Sequence, residues 1–287
     1  MPSSANPPVP APPAPRAAGG PATGPLTVAV AQPVCAPAGR PETVSDNVAR
    51  HAEAVREAGT RLVVFPELSL TGYDLAAPAV DPTDDRLAPL VRACAEAGAV
   101  ALVGAPVVEP DGCESIATLA VSGDGAEVVY RKMYLHGAEV NRFTPGGEPV
   151  VLELDGLRLG LAVCADASEP AHAEATAALG IDAYVASTLY GPGAAQAERR
   201  DGHVRDRAAA HGVWCVLSTC AGATGEYPDS SGGSGVWAPG GSRVVQAGTA
   251  PGELVRAELV PAGSVPAGSF PADPVRAQPV HAEPVRQ

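Results

Sequence analysis

From residue 26 onward, short apolar runs of strand length alternate with stretches whose apolar residues recur at helical spacing, a rhythm that restricts the chain to an α/β architecture. Residues 26–31, 61–65, 100–108, 157–163, 183–187 and 213–218 read as strands, each an apolar run bounded by turn or polar residues. Val44, Val48, His51, Ala52 and Val55 mark a helix closed by Gly59, and Leu87, Leu90, Val91 and Cys94 mark a second that stops at Gly98. Two more helices are predicted over residues 171–179 and 195–210. Hairpins are signalled by Gly123-Asp124-Gly125 between residues 116–121 and 127–131, and by Asp155-Gly156 between residues 150–154 and 157–163. A third joins residues 235–238 to 244–247 across Pro239-Gly240-Gly241. Hairpins mixed with strand-helix alternation imply mixed sheets with helices packed outside.

This rhythm fades at both ends. Residues 1–25 are Pro, Ala, Gly and Ser without the basic start and apolar middle of a secretory signal, so a disordered tail is expected there. From residue 261 the near-repeat Pro274-Val275-Arg276, Pro279-Val280-His281 and Pro284-Val285-Arg286 forbids helix and central strand, which predicts a second extended tail. One folded domain over residues 26–260 remains.

The net charge of -13 leaves no basic stripe to neutralise phosphates, so nucleic acid is not an expected partner. No window reaches the roughly 18 uninterrupted apolar residues of a bilayer span, and a membrane is not expected either. Cys35, Cys94, Cys113, Cys164, Cys215 and Cys220 show no close pairing, which suits reduced thiols in the cytoplasm.

Three strand ends carry reactive side chains: Glu67 after residues 61–65, Lys132 after 127–131, and Cys164 after 157–163. A base, a cation and a thiol are the components of acyl transfer through a thioester. Asp166, Glu169 and Pro170 announce a helix just beyond Cys164, whose free amides are expected to lower the thiol's pKa and to donate to an oxyanion. Glu67 is the candidate base. Lys132 is the only lysine among 19 basic residues, a place where a compact point charge suits a developing oxyanion better than a planar guanidinium.

Each residue alone has a structural reading: a core cysteine, a solvated glutamate, a surface lysine. Their joint placement at strand ends favours chemistry. A Cys-His hydrolase would need His136 or His172 as partner, and neither carries a motif context. The six histidines lack ligand spacing and neither CxxC nor HExxH occurs, so no metal is expected, and Gly191-Pro192-Gly193 reads as a turn. A catalytically silent scaffold is the alternative of another class.

Val28-Ala29-Val30-Ala31-Gln32, Phe65-Pro66-Glu67, Thr71-Gly72-Tyr73, Tyr130-Arg131-Lys132-Met133-Tyr134-Leu135, Cys164-Ala165-Asp166 and Ser234-Gly235-Val236-Trp237-Ala238-Pro239-Gly240-Gly241 together resemble the nitrilase superfamily, the carbon-nitrogen hydrolases. The resemblance implies a four-layer αββα sandwich with Glu67 as general base, Lys132 as oxyanion stabiliser, Cys164 as nucleophile and no cofactor. Glu139 matches the second glutamate that orients substrate and lysine, and the Ala165 amide matches a second oxyanion donor. Tyr73, His136 and Ser187 are expected to line the pocket, and a homodimer or higher homo-oligomer is implied. The sequence departs from the family at Ala165, often aromatic, and at Ser218-Thr219-Cys220, where an Asn is common. The expected reaction is ammonia release from a linear amide or N-carbamoyl compound, with nitrile hydrolysis as the alternative.

Overall fold

The computed structural model describes residues 24–264, so most of both predicted tails lies outside the described residues. The first half of the fold runs β1 (Leu26–Gln32), α1 (Thr43–Ala58), β2 (Leu62–Val64), α2 (Ala88–Ala97), β3 (Val100–Val108), β4 (Glu114–Ser122) and β5 (Gly125–Arg131). The second runs β6 (Val151–Leu154), β7 (Leu157–Val163), α3 (Ala165–Ser168), α4 (Pro170–Ala177), β8 (Ala183–Thr188), α5 (Ala194–His211), β9 (Trp214–Thr219), β10 (Gly235–Trp237) and β11 (Arg243–Gln246). A further strand, β12 (Glu253–Leu259), crosses back to the first sheet and pairs antiparallel with β1, Leu26 opposite Leu259.

Two six-stranded mixed sheets result, in the orders β12-β1-β2-β3-β4-β5 and β11-β10-β9-β8-β7-β6. The period-two alternation of each strand explains how they stack. In β1, Val28 and Val30 face a core shared with Leu159, Leu161 and Val163 of β7 and Trp214 and Val216 of β9. On its other face Ala29 and Ala31 meet Val44, Val48, Ala52 and Val55 of α1. The outer face of the second sheet, with Ala162, Tyr184, Ala186, Cys215 and Leu217, packs on Ala173 of α4 and on Val204 and Ala208 of α5. The layers are therefore helix, sheet, sheet, helix, the αββα sandwich expected from the sequence.

The sequence reading placed no strand over residues 253–259, and the structure corrects it. Glu253, Arg256 and Glu258 interrupt the apolar run, and of this edge strand Val255 and Leu259 are the residues that enter the core between the sheets. The chain remains attached beyond residue 260: the Ala262 N–H donates to Asp182 (3.0 Å) and Trp214 Nε1 donates to the Val260 carbonyl (2.9 Å). No helix among the described residues is long and apolar enough to cross a membrane.

Candidate active site

β1, β2 and β3 run parallel, and the two antiparallel steps through β4 bring β5 back to the same direction. The C-terminal ends of β2 and β5 therefore share one edge of the first sheet, and that edge faces the C-terminal end of β7 across the sandwich. Glu67, Lys132 and Cys164 sit just beyond these three ends.

The Glu67 loop is pressed flat against β3. Leu70 N–H donates to the Gly104 carbonyl (3.0 Å), and a Cβ at Gly104 would run into the backbone of Pro66, Glu67 and Leu68, so the strand has room there only for glycine. Four non-glycine residues have positive φ, and three of them belong to this site: Leu68 (49°), Tyr73 (57°) and Cys164 (48°). Backbone strain of this kind persists where surrounding contacts fix it, and it concentrates at functional positions. At Cys164 the sharp turn is held by its N–H donating to the Ser187 carbonyl (2.9 Å) and by the Ala167 N–H donating to the Cys164 carbonyl (2.9 Å).

Lys132 is fully buried, 0% exposed, between two carboxylates: Nζ donates to Glu67 Oε1 (2.6 Å) and to Glu139 Oε1 (2.7 Å). Burial lowers the pKa of the ammonium, but the charges of Glu67, Cys164 and Glu139 outweigh it and hold the lysine above its ordinary range, so it keeps its proton. Glu139 is raised by burial and by the neighbouring Glu67 charge, against the pull of Lys132. Its Oε2 accepts the His136 N–H (2.8 Å), which fixes the carboxylate on both sides. Glu67 Oε2 is different: it is buried and closes no hydrogen bond of regular geometry. The Cys164 thiol and the Tyr73 hydroxyl are its polar neighbours.

The thiol departs from expectation. Burial, followed by the Glu67 charge, pushes Cys164 up to about 12, against a lowering by Lys132. α3 has only four residues, too short for its dipole to offset an enclosed thiol next to a carboxylate. The resting pair is thus a neutral thiol beside a carboxylate.

Of the expected pocket residues, Tyr73 is 7% exposed and its phenol is held above the ordinary range by burial and by the Glu67, Cys164 and Glu139 charges. Ser187 is buried in β8 and meets Cys164 through its carbonyl. The His136 side chain is exposed, and its hydrogen bond to Glu139 comes from the backbone. The Ala165 N–H, at the start of α3, has no acceptor among the described residues. His172 is not a partner for the thiol: its Nε2 lies 2.8 Å from the Tyr130 hydroxyl and its Nδ1 lies 2.8 Å from the Tyr184 hydroxyl.

Sequence reasoning missed what Asp166 does. It is fully buried and accepts from Tyr130 Oη (2.8 Å), Met133 N–H (3.2 Å), Tyr134 N–H (2.8 Å) and Val163 N–H (2.9 Å). One carboxylate thereby staples the segment that carries Lys132 to the turn that carries Cys164. Burial raises its pKa to about 6 although these donors pull it down. Its position two residues after Cys164 was the available signal, but its partners lie more than 30 residues away.

The carbon-nitrogen hydrolase family model matches residues 27–265. A hydrolase of Mycobacterium tuberculosis, MT0498, is 33% identical over 227 residues, covering 72% of this chain and 81% of that protein. Among solved structures, Nit3 of Saccharomyces cerevisiae, a nitrilase-superfamily member, superposes with a TM-score of 0.72 at 22% identity, covering 83% of this chain and 91% of the other. The amidase of Nesterenkonia sp. AN1, solved as a cysteine mutant in complex with butyramide, gives a TM-score of 0.70 at 26% identity, with the same coverage of both chains. The chain therefore belongs to the carbon-nitrogen hydrolase family of the nitrilase superfamily and is a hydrolase of carbon–nitrogen bonds other than peptide bonds.

Proposed function

We propose that the protein is an amidase that hydrolyses a small linear amide through a thioester on Cys164, releasing ammonia and a carboxylic acid. The observation that carries this reading is the division of labour within Glu67: Oε1 is occupied by Lys132, while the buried Oε2 is left beside the neutral Cys164 thiol. A carboxylate so placed takes the thiol proton as sulfur attacks, and the high thiol pKa makes such a base necessary.

Sulfur adds to the amide carbon and the carbonyl π pair moves onto oxygen. Lys132 and the Ala165 N–H stabilise that oxyanion, the lysine supplying about 2 to 4 kcal/mol. Glu67 then returns the proton to nitrogen, the C–N bond breaks and ammonia leaves a thioester. Glu67 next takes a proton from water as the water oxygen attacks the thioester. Collapse breaks the C–S bond, and the proton returns to sulfur. Glu139 keeps Lys132 in place throughout. A further support comes from the Nesterenkonia amidase, which shows covalent addition of the acetamide moiety of fluoroacetamide at its active-site cysteine.

The test is ammonia release from short aliphatic amides, N-carbamoyl compounds and nitriles. Release from amides is expected to fall by more than about 10^3-fold in Cys164→Ala. Equal release by that variant, or release from nitriles alone, would overturn the assignment.

A further inference from the structure

The segment between β9 and β10 folds back over the Glu67 loop. Ala221 and Ser231 close it as an antiparallel bridge, and within it Thr224 and Tyr227 exchange two backbone hydrogen bonds of 2.9 Å, forming a tight turn. That turn is fastened to the site: Thr224 Oγ1 donates to the Gly72 carbonyl (2.9 Å). Gly225, at φ 53°, lies so close to the Tyr73 carbonyl that a Cβ would overlap it. The turn delivers the Tyr227 ring edge-on to the Tyr73 ring, with centroids 5.4 Å apart and an interplanar angle of 88°.

Three tyrosines surround the thiol at different depths. Tyr73 is 7% exposed and Tyr190, held by His203 Nδ1 at 3.0 Å, is 9% exposed, whereas Tyr227 keeps 39% of its surface open. Burial and then the charges of Cys164, Glu67, Glu139 and Glu226 raise the pKa of the Tyr227 phenol, so this ring stands over the reacting groups and feels negative charge from them. The cation nearest the reaction, Lys132, is already shared by two carboxylates.

We propose that Tyr227 forms the outer wall of the acyl pocket and selects amides whose acyl group is uncharged and flat or apolar over amides whose acyl group bears a carboxylate. This rests on the amidase reading above. The open ring offers an apolar face whose remaining surface a substrate can cover, and aromatic rings pack edge-on or offset against such a face. A carboxylate in the same position would meet Glu67, Glu139 and Glu226 with no uncommitted ammonium among them, and like charges disfavour its binding.

The experiment compares kcat/KM for acetamide, phenylacetamide and succinamate in the wild type, Tyr227→Ala, Tyr227→Phe and Tyr227→Arg. The wild type is expected to prefer phenylacetamide to succinamate. Tyr227→Ala should lose about tenfold more on phenylacetamide than on acetamide, mainly through KM, as removal of one ring contact predicts. Tyr227→Phe should retain the preference, and Tyr227→Arg should shift it toward succinamate. Equal losses on acetamide and phenylacetamide, or a wild type that uses succinamate as well as phenylacetamide, would overturn the Tyr227 assignment alone. Absence of any Cys164-dependent amide turnover would remove the amidase reading and this inference with it.

Discussion

Replacing Lys132 by Met removes the one cation that neutralises two buried carboxylates, and the consequence for stability can be worked out. The Lys132 side chain is 0% exposed, as is that of Glu67, and Glu139 is 4% exposed, so water cannot take the lysine's place. Breaking a buried pair by removing one partner costs about 3 to 5 kcal/mol. The alternative is to protonate a stranded carboxylate, which at pH 7 costs about 3.7 kcal/mol for a group whose free pKa is about 4.3. Both routes give a loss of about 4 kcal/mol, or a fall in Tm of about 8 to 16 °C for a domain of this size. The pH dependence follows from the sign. In the variant, the folded-state pKa of Glu67 or Glu139 is raised, so the penalty is absent below about pH 4 and grows as pH rises from there. At pH 5 the same calculation leaves about 1 kcal/mol. Urea denaturation at pH 5 and pH 7 measures it, and Lys132→Met/Glu139→Gln should recover a large part of the pH 7 loss without recovering activity. A deficit under about 1 kcal/mol at pH 7, or one that does not shrink at pH 5, would refute the reasoning.

Two other perturbations probe groups outside the triad. His51 is buried, stacked on Phe65 with centroids 4.1 Å apart, with no hydrogen bond to either ring nitrogen, and burial lowers its pKa to about 3. The unfolded chain binds a proton there below its free pKa of about 6.5 while the folded chain does not, so stability falls as pH drops from 6.5 toward 3, by about 1.4 kcal/mol per unit. His51→Leu should flatten the acid limb of a stability-pH curve, and an unchanged slope would contradict it; His172, lowered to about 4, leaves a residual slope. Asp166→Asn should cost about 2 to 4 kcal/mol in denaturant melts, because an amide cannot accept from all four donors and each stranded donor costs about 1 to 3 kcal/mol. A variant as stable as the wild type would show that the staple is not needed.

The sandwich was legible because its inner and outer faces are written into alternation: Val28 and Val30 against Ala29 and Ala31 need no knowledge of the partner sheet. Glu67, Lys132 and Cys164 were legible because each ends an apolar strand, where a polar side chain has few structural reasons to be. β12 was not, since charged residues at positions 253, 256 and 258 mask the two side chains that enter the core. The thiol's pKa could not be read either. A helix start beyond Cys164 is local, but the carboxylate that pushes the thiol up comes from 97 residues earlier in the chain. Asp166 and Tyr227 belong to the same class, as their roles depend on segments that meet only when both sheets have closed.

The account stands on a covalent acyl group passing through one sulfur, and intact-protein mass spectrometry of quenched turnover tests that directly. Protein mixed with fluoroacetamide or a slow amide and acid-quenched should gain the mass of the acyl moiety. Peptide mapping should place it on Cys164 and not on the exposed Cys113, and Cys164→Ala should show no adduct. Amide turnover by the wild type with no adduct at any quench time, together with undiminished turnover by Cys164→Ala, would contradict thioester catalysis at this site.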